Sequence, residues 1–389
     1  MLFLVIVLAF IRPSSFQISI PAERKENEMR IGICGAGVGG LSAAIGLLSL
    51  GYEVDVFERA PDIRTTGTGF NLWPNAGRAI YGLGLREQYN EIAVKLDRYI
   101  ELDPEGEQLF STDTSNWGEK YGAPAVGLYR PELARMLGDA VGLERIKFNH
   151  DVVSVENADD KAICHFSNGE FYEADVIIGA DGVNSDVREQ LIGGVTFRPN
   201  DHYAYRFRSV IDLNDVDVDP AAQTGFYAAG GWLSFIPIGK GKAYWFGSVS
   251  GANTFEEFFE FFSSWTKTPI PQTLSNTPKD LLVQSPLLDV EGVLYKWTHG
   301  RVTLIGDSAH PMMPDMAQGA SQTFVDALAL RDEFAKTQNV DQALREYEAG
   351  RRPVANAVVK CSQKGLFLGR HNVDPIAIRY ENEIEPLAA

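Results

Sequence analysis

The chain has 389 residues, 45% hydrophobic and 11% aromatic, with a formal charge of −17 at pH 7. That excludes a disordered or fibrous chain and leaves room for one large or two to three ordinary domains around a sizeable core. With 52 acidic against 35 basic residues, neither nucleic acid nor an anionic membrane face is an expected partner. Three cysteines without a CxxC pairing and six scattered histidines write no zinc site and suit a reducing, cytoplasmic compartment.

Residues 1–28 read apart from the rest. The run 1–11 (MLFLVIVLAFI) is shorter than the roughly 20 residues that span a bilayer. It lacks the basic flank and the small-residue cleavage site of a secretory signal. Lys25-Glu26-Asn27-Glu28 can be encoded with AAGGAG, the form of a bacterial ribosome-binding site, just upstream of the Met29 codon. The expectation is a native start at Met29, with 1–28 an extension outside the fold and no stable membrane insertion. A short membrane-associating leader is the alternative.

From residue 31 the pattern sharpens. Residues 31–34 form a short apolar strand, and Gly35-Ala36-Gly37-Val38-Gly39-Gly40 follows at once. A small-residue helix runs to residue 50 and stops at Gly51, and the next strand, 53–57, ends at Glu58. This is GxGxxG in its strand–turn–helix–strand setting, the mark of a dinucleotide-binding unit. Gly35 allows the tight turn, Gly37 lets backbone approach a pyrophosphate at the helix N-terminus, and Gly40 lets helix and strand pack. Glu58 suits the ribose hydroxyls and would repel a 2′-phosphate. The fingerprint alone leaves FAD and NAD both open.

Further along, 162–175 reads as a hairpin turning at Asn168-Gly169. A buried strand, 176–178, runs into Gly179-Ala180-Asp181-Gly182, with Ser185 and Arg188 beyond it. A late strand, 301–305, leads to Gly306-Asp307-Ser308-Ala309-His310-Pro311, then Pro314, Gln318-Gly319-Ala320 and a helix containing Asp326. With these three motifs in order, the chain resembles the single-component, FAD-dependent aromatic hydroxylases, the family of p-hydroxybenzoate and salicylate hydroxylases. The stretch from His310 to Gly319 is most similar to the branch acting on 6-hydroxynicotinate, salicylate and urate.

The resemblance implies an α/β fold: a discontinuous, Rossmann-like FAD-binding domain with an inserted antiparallel-sheet substrate domain. Its expected limits are 29–194 and 286–366 for the FAD-binding parts, the latter with a C-terminal helix, 195–285 for the substrate sheet, and 367–389 for a tail. It implies FAD contacts at Gly35, Gly37, Gly39, Gly40, Glu58 and Arg59, then at Asn71, Arg130, Val152 and Asp181. The late motif adds Asp307, Pro314, Ala317, Gln318, Gly319 and Ala320. Asp307 suits the ribityl hydroxyls of a flavin, and the helix beginning near Gly319 aims its positive end at the flavin edge where charge collects on reduction. Asp181 would meet FAD and the nicotinamide donor, or only cap its own loop. Ser308 and His310 read as loop-ordering residues, because a pair two residues apart lacks the geometry of a triad. No second GxGxxG exists in the chain, so NADH or NADPH would bind transiently.

The aromatic-rich segments 202–213, 224–238 and 242–250 alternate as strands, followed by a helix through 254–265. The implied reaction is NAD(P)H- and O2-dependent hydroxylation of a small aromatic or heteroaromatic substrate through a flavin C4a-hydroperoxide. Arg208, aligned with a family arginine, and Pro314 are the expected substrate-side residues. Tyr205, Tyr244 and His310 are the candidate bases, and Lys242 or Arg206 the candidate partners of an anionic substrate. No metal is expected, and the chain is expected to act as a monomer or homodimer. A flavin-dependent oxidase, dehydrogenase or epoxidase on a non-aromatic substrate is the rival enzyme, and a non-catalytic flavin-binding protein the rival from another class. The segment from Trp232 to Pro237 partly echoes a halogenase motif but lacks its second tryptophan.

Overall fold

The structure, a computed structural model, describes residues 29–63 and 67–363. The leader, the tail and the residues from 364 onward lie outside it, and so does the question of the native start.

Short apolar strands buried on both faces assemble a six-stranded sheet, as expected for parallel pairing. Its order is Thr298–His299, Val302–Leu304, Val176–Gly179, Arg30–Cys34, Glu53–Glu58, Ile146–Phe148. All pairs are parallel except the first. The late strand sits beside the middle one, which joins the two sequence segments into one discontinuous domain. The helix Val38–Leu48 packs on the long helix Gly319–Lys336 at small residues. A Cβ on Gly39 would lie 3.1 Å from the Thr323 side chain, and one on Gly46 3.0 Å from that of Arg331. The hairpin Ala162–Phe166 and Phe171–Ala174 turns at Gly169, whose φ is +85°. Buried beneath it, Cys34 and Cys164 are free thiols with sulfurs 3.3 Å apart.

A second, seven-stranded sheet has the order Val283–Pro286, Tyr205–Asp212, Lys242–Val249, Gly231–Gly239, Ala222–Ala228, Arg98–Leu102, Gln108–Asp113. Its last two strands come from outside the expected 195–285 segment. Arg98–Leu102 pairs in parallel with Ala222–Ala228, a long-range contact that no local pattern announces. The alternation 224–238 is two strands, broken at Ala229-Gly230, where Gly230 has φ +89°.

One face of this sheet carries Phe207, Phe235 and Trp245 against Phe258, Phe262 and Trp265, a core closed by the helices Phe255–Phe262 and Ile270–Asn276. Thr254 caps the first of these in a reciprocal capping box with Glu257. The other face meets the small sheet formed by Gly69–Leu72, Val126–Tyr129 and Val94–Lys95. Glycines make that approach possible: a Cβ on Gly127 would lie 1.9 Å from the Pro237 carbonyl oxygen, and one on Gly69 2.7 Å from the Tyr244 Cβ. Among the described residues, no helix is long and apolar enough to cross a membrane.

Candidate functional site

The glycine-rich turn divides its labour as its spacing suggests. Gly35 has φ +112°, and a Cβ there would lie 2.3 Å from the Ala180 carbonyl oxygen. A Cβ on Gly40 would lie 1.8 Å from the Gly35 carbonyl oxygen. At Gly37 a Cβ would meet nothing within 4 Å, and this residue starts the helix Val38–Leu48 with no side-chain cap. The first-turn amides therefore face open space, the arrangement that receives an anion. Gly39 permits a close approach of its helix to Thr323. Glu58 accepts hydrogen bonds from the Ala36 and Ala60 amides, both at 2.9 Å. A carboxylate takes about four such bonds, which leaves acceptor capacity for ribose hydroxyls. Arg59 is exposed beside it, and the Val152 side chain is buried in the core of the domain.

Asp307 is exposed although both its sequence neighbours are buried. Its side chain reaches solvent yet is closely surrounded by protein. That surrounding protein raises its carboxyl above the usual carboxylate range, opposed by His310, Arg130 and Arg188. Arg188 is buried and donates to the carbonyls of Asp307, Ser308 and Val183 at 3.4, 3.2 and 2.7 Å, bracing the loop from behind. Asp181 accepts from Ser185 Oγ at 2.5 Å, the Val187 amide at 3.0 Å and Ser308 Oγ at 3.0 Å. Of its two expected roles the geometry favours capping. Arg130 starts the helix Arg130–Val141, exposed at the cleft, with its stem against Gly67.

The turn Pro314–Met316 and Ala317, at φ +51°, lead into the helix Gly319–Lys336. This helix also starts without a side-chain cap, with Gly319 and Ala320 half-buried and Pro314 exposed. Gln318 Oε1 accepts from Asn75 Nδ2 at 2.9 Å and Gln322 Nε2 at 3.2 Å. Behind them, Arg351 of the C-terminal helix Val340–Gln363 donates to Gln322 at 2.6 Å and to Asp326 at 2.7 Å. Asp326 also accepts from the Gly306 amide at 3.1 Å and bonds His310 Nε2 at 2.6 Å. Burial pushes the Asp326 carboxyl up, but His310 and Arg351 outweigh it and hold it below its usual value. The expectation of His310 as a base is corrected here. At 1% exposure, its ring is sealed against Asp326 and Trp297 and reaches no open surface. It orders the loop.

The large sheet roofs the cleft, and its face toward the late loop is organised in rows. The first holds Arg206, Ser248, Trp232 and Tyr227. The second holds Arg208, Phe246, Ser234, Gly225 and Glu101. Val210, Tyr244 and Ile236 form the third, with Gln223 beside Tyr99 further along. Three contacts bind this face to the cofactor side. Arg206 pairs with Asp315 at 3.2 Å, Asn71 Nδ2 donates to Gln223 at 2.5 Å, and Ala317 packs on the cluster of Tyr99 and Trp73.

Tyr205, expected as a base, is corrected by this register. It alternates with Arg206 and packs on the opposite face, against Phe207 and the helix-covered core. Arg208 does lie on the roof face, donating to Ser285 Oγ at 2.9 Å, with its Nε buried and lacking a partner among the described residues. Arg206 is the deeper arginine. It is 5% exposed, bonds Ser248 Oγ at 3.0 Å, and lies 4.6 Å over the Trp232 ring. Lys242 lines a separate cavity of about 220 Å³ with Asp212 and Asp215. Asn71 Oδ1 is buried without a partner among the described residues. The sequence reading assigned no role to Gln223, Tyr227 and Glu101. Their signal was polarity recurring at every second position of otherwise apolar strands.

A family model described as FAD binding domain matches residues 28–362. Aurachin C monooxygenase/isomerase of Stigmatella aurantiaca is 30% identical over 340 residues, covering 85% of this chain and 87% of the relative. 3-hydroxybenzoate 6-hydroxylase 1 of Aquipseudomonas alcaligenes is 33% identical over 336 residues, covering 82% and 84%. Among solved structures, Klebsiella pneumoniae HpxO complexed with FAD and uric acid superposes with a TM-score of 0.77 at 26% identity, covering 92% of each chain.

Proposed function

The chain belongs to the FAD binding domain family, and on that premise we propose an FAD-dependent monooxygenase that hydroxylates a small aromatic or heteroaromatic ring. NADH or NADPH is the electron donor and O2 the co-substrate. The relatives named for a hydroxybenzoate and solved with uric acid support a planar, hydroxylated or oxo-bearing ring as the substrate class.

The observation that carries the reading is the cleft itself. Two uncapped helix N-termini, the open face of Gly37 and the exposed Asp307 belong to one domain, and the polar face of the large sheet is joined to the late loop of that domain through Arg206 and Asp315. These residues fit FAD. The Gly37 turn would hold the diphosphate, Glu58 the adenosine ribose, Asp307 the ribityl chain, and the amides of Gly319 and Ala320 the flavin edge. When bound, FAD supplies the redox chemistry that takes electrons from NAD(P)H and activates O2. The chain supplies position and dryness. Trp232, Tyr244 and Phe246 exclude water from the roof side, while Arg206, already neutralised by Asp315, keeps donors to spare for an anionic or oxo group.

Purified protein should carry FAD, and Asp307→Ala should lose it. Full FAD retention by that variant would overturn the assignment of the late loop. NADH and NADPH oxidation, screened over hydroxybenzoates, salicylate, hydroxynicotinates and urate, then identifies the ring that accelerates flavin reduction. Acceleration by none of them would count against an aromatic substrate.

A further inference from the structure

The helix Val340–Gln363 grips the late loop at two points. Arg351 holds it through Asp326, which also bonds His310 and the Gly306 amide. About three turns further on, Ser362 Oγ donates to the Met313 carbonyl at 2.6 Å. This second contact has no part in building the helix. A serine inside a helix often turns its hydroxyl back to the carbonyl four residues earlier. Ser362, 1% exposed, reaches instead to a loop residue that is 2% exposed. Its neighbour Gln363 donates to the carbonyls of Val290 and Gly292 at 2.7 and 3.0 Å, so the helix end is itself fixed from another side.

The Met313 carbonyl belongs to the peptide before Pro314, and proline has no N–H with which to anchor the chain. Met313 is extended, with φ −59° and ψ 141°, the conformation favoured before proline. Asp315 follows in the same turn and pairs with Arg206 at 3.2 Å. The carbonyl that Ser362 holds thus orients the turn that presents Asp315 to the roof. Without the Ser362 hydroxyl, a buried carbonyl loses its donor, a cost that the loop relieves by moving. Arg206 is buried, with Asp315 as its counter-charge. Arg208 and Glu101, in the adjoining row, are bonded within the sheet to Ser285 and Tyr99, so their places do not depend on the loop.

We propose that Ser362 is a positioning residue: through the Met313 carbonyl it holds Asp315 against Arg206 and so sets how much positive charge the roof offers an incoming ring. The proposal rests on the aromatic-hydroxylase reading and deepens it toward substrate charge. With the contact intact, Arg206 is neutralised and a neutral, oxo-bearing ring competes well with an anionic one. With the contact broken, the guanidinium stands uncompensated and the anionic ring gains.

The test titrates FAD-loaded enzyme at neutral pH with benzoate and with benzamide, its neutral near-isostere, and follows the flavin absorbance. Asp315→Asn should raise the preference for benzoate about threefold or more, because Arg206 loses its counter-charge. Ser362→Ala should shift the preference in the same direction at unchanged FAD content. Ser362→Cys, similar in size and a weaker donor, should fall between wild type and Ser362→Ala. The double variant should go no further than Asp315→Asn alone, since both changes act through one contact. Equal weakening of both rings in Ser362→Ala, effects that multiply in the double variant, or an unchanged preference in Asp315→Asn would overturn the proposal. So would a FAD-loaded wild type whose spectrum answers to neither ring, and all of these leave the flavin assignment standing. Wild-type protein that holds no FAD would instead overturn the reading on which the proposal rests.

Discussion

Asp307 and Asp326 lie within a few residues of the same loop and are pushed in opposite directions, which gives each its own pH signature. The Asp307 carboxyl is raised, by surrounding protein first. Its charged form is therefore less favourable in the folded than in the unfolded chain, and stability is lost as pH rises from about 4 through the raised value. Asp307→Asn apoprotein should melt higher than wild type at pH 7, the difference vanishing in acid, while FAD affinity falls. A variant that melts lower at pH 7 would contradict this. Asp326 is the reverse case. Burial opposes its charge, but His310 and Arg351 hold the carboxyl below its usual value. Its contribution is present above about pH 4 and lost as pH falls through the depressed value. Asp326→Asn should destabilise by about 3–5 kcal/mol at neutral pH, because Arg351 is left buried without its partner. Thermal melts from about pH 7 down to pH 3 should show the two proteins converging; a gap that widens in acid would sink the assignment.

At the scale of strands and helices, the close approach of the roof to the small sheet depends on Gly127. Its Cβ would lie 1.9 Å from the Pro237 backbone oxygen, so backbone rather than a flexible side chain must yield. Gly127→Ala should cost about 1–3 kcal/mol, measured by denaturant unfolding, and should weaken FAD binding because Asn71 lies on the adjoining strand. An unchanged midpoint would show that the sheets tolerate separation. Much of this level was legible in the sequence. The GxGxxG turn, the Asn168-Gly169 hairpin and the late Gly306-Asp307 loop each depend on local residue chemistry. The roof was harder, and the strand Tyr205–Asp212 shows why. Aromatic and arginine residues alternate there, and both faces are buried. A period of two fixes which residues share a face but not which face meets the cofactor. The aromatic face went to the helix-covered core, the arginines went to the cleft, and Tyr205 went with the former. Arg98–Leu102 was missed because its partner strand is more than a hundred residues away.

For the whole molecule, the charge of −17 surrounds a cleft whose roof holds Arg206 and Arg208. An anionic substrate would approach against that field and would meet the guanidinium donors of Arg206 and Arg208 only at the end. Raising ionic strength screens long-range repulsion over roughly a Debye length of 10 Å at 0.1 M. Association of an anionic ring should therefore quicken with salt, while that of a neutral ring stays level, as read from flavin absorbance in stopped flow. Slower anion binding at higher salt would mean that the cleft's own charges dominate at range.

The central claim is that this fold places oxygen from O2 on an aromatic ring at the expense of NAD(P)H. Turnover of the best ring substrate under isotopically labelled O2, with the product analysed by mass spectrometry, addresses it directly. One labelled oxygen atom should appear at a single ring position for each NAD(P)H consumed. Unlabelled product, or hydrogen peroxide formed in step with NAD(P)H whichever aromatic ring is offered, would contradict it.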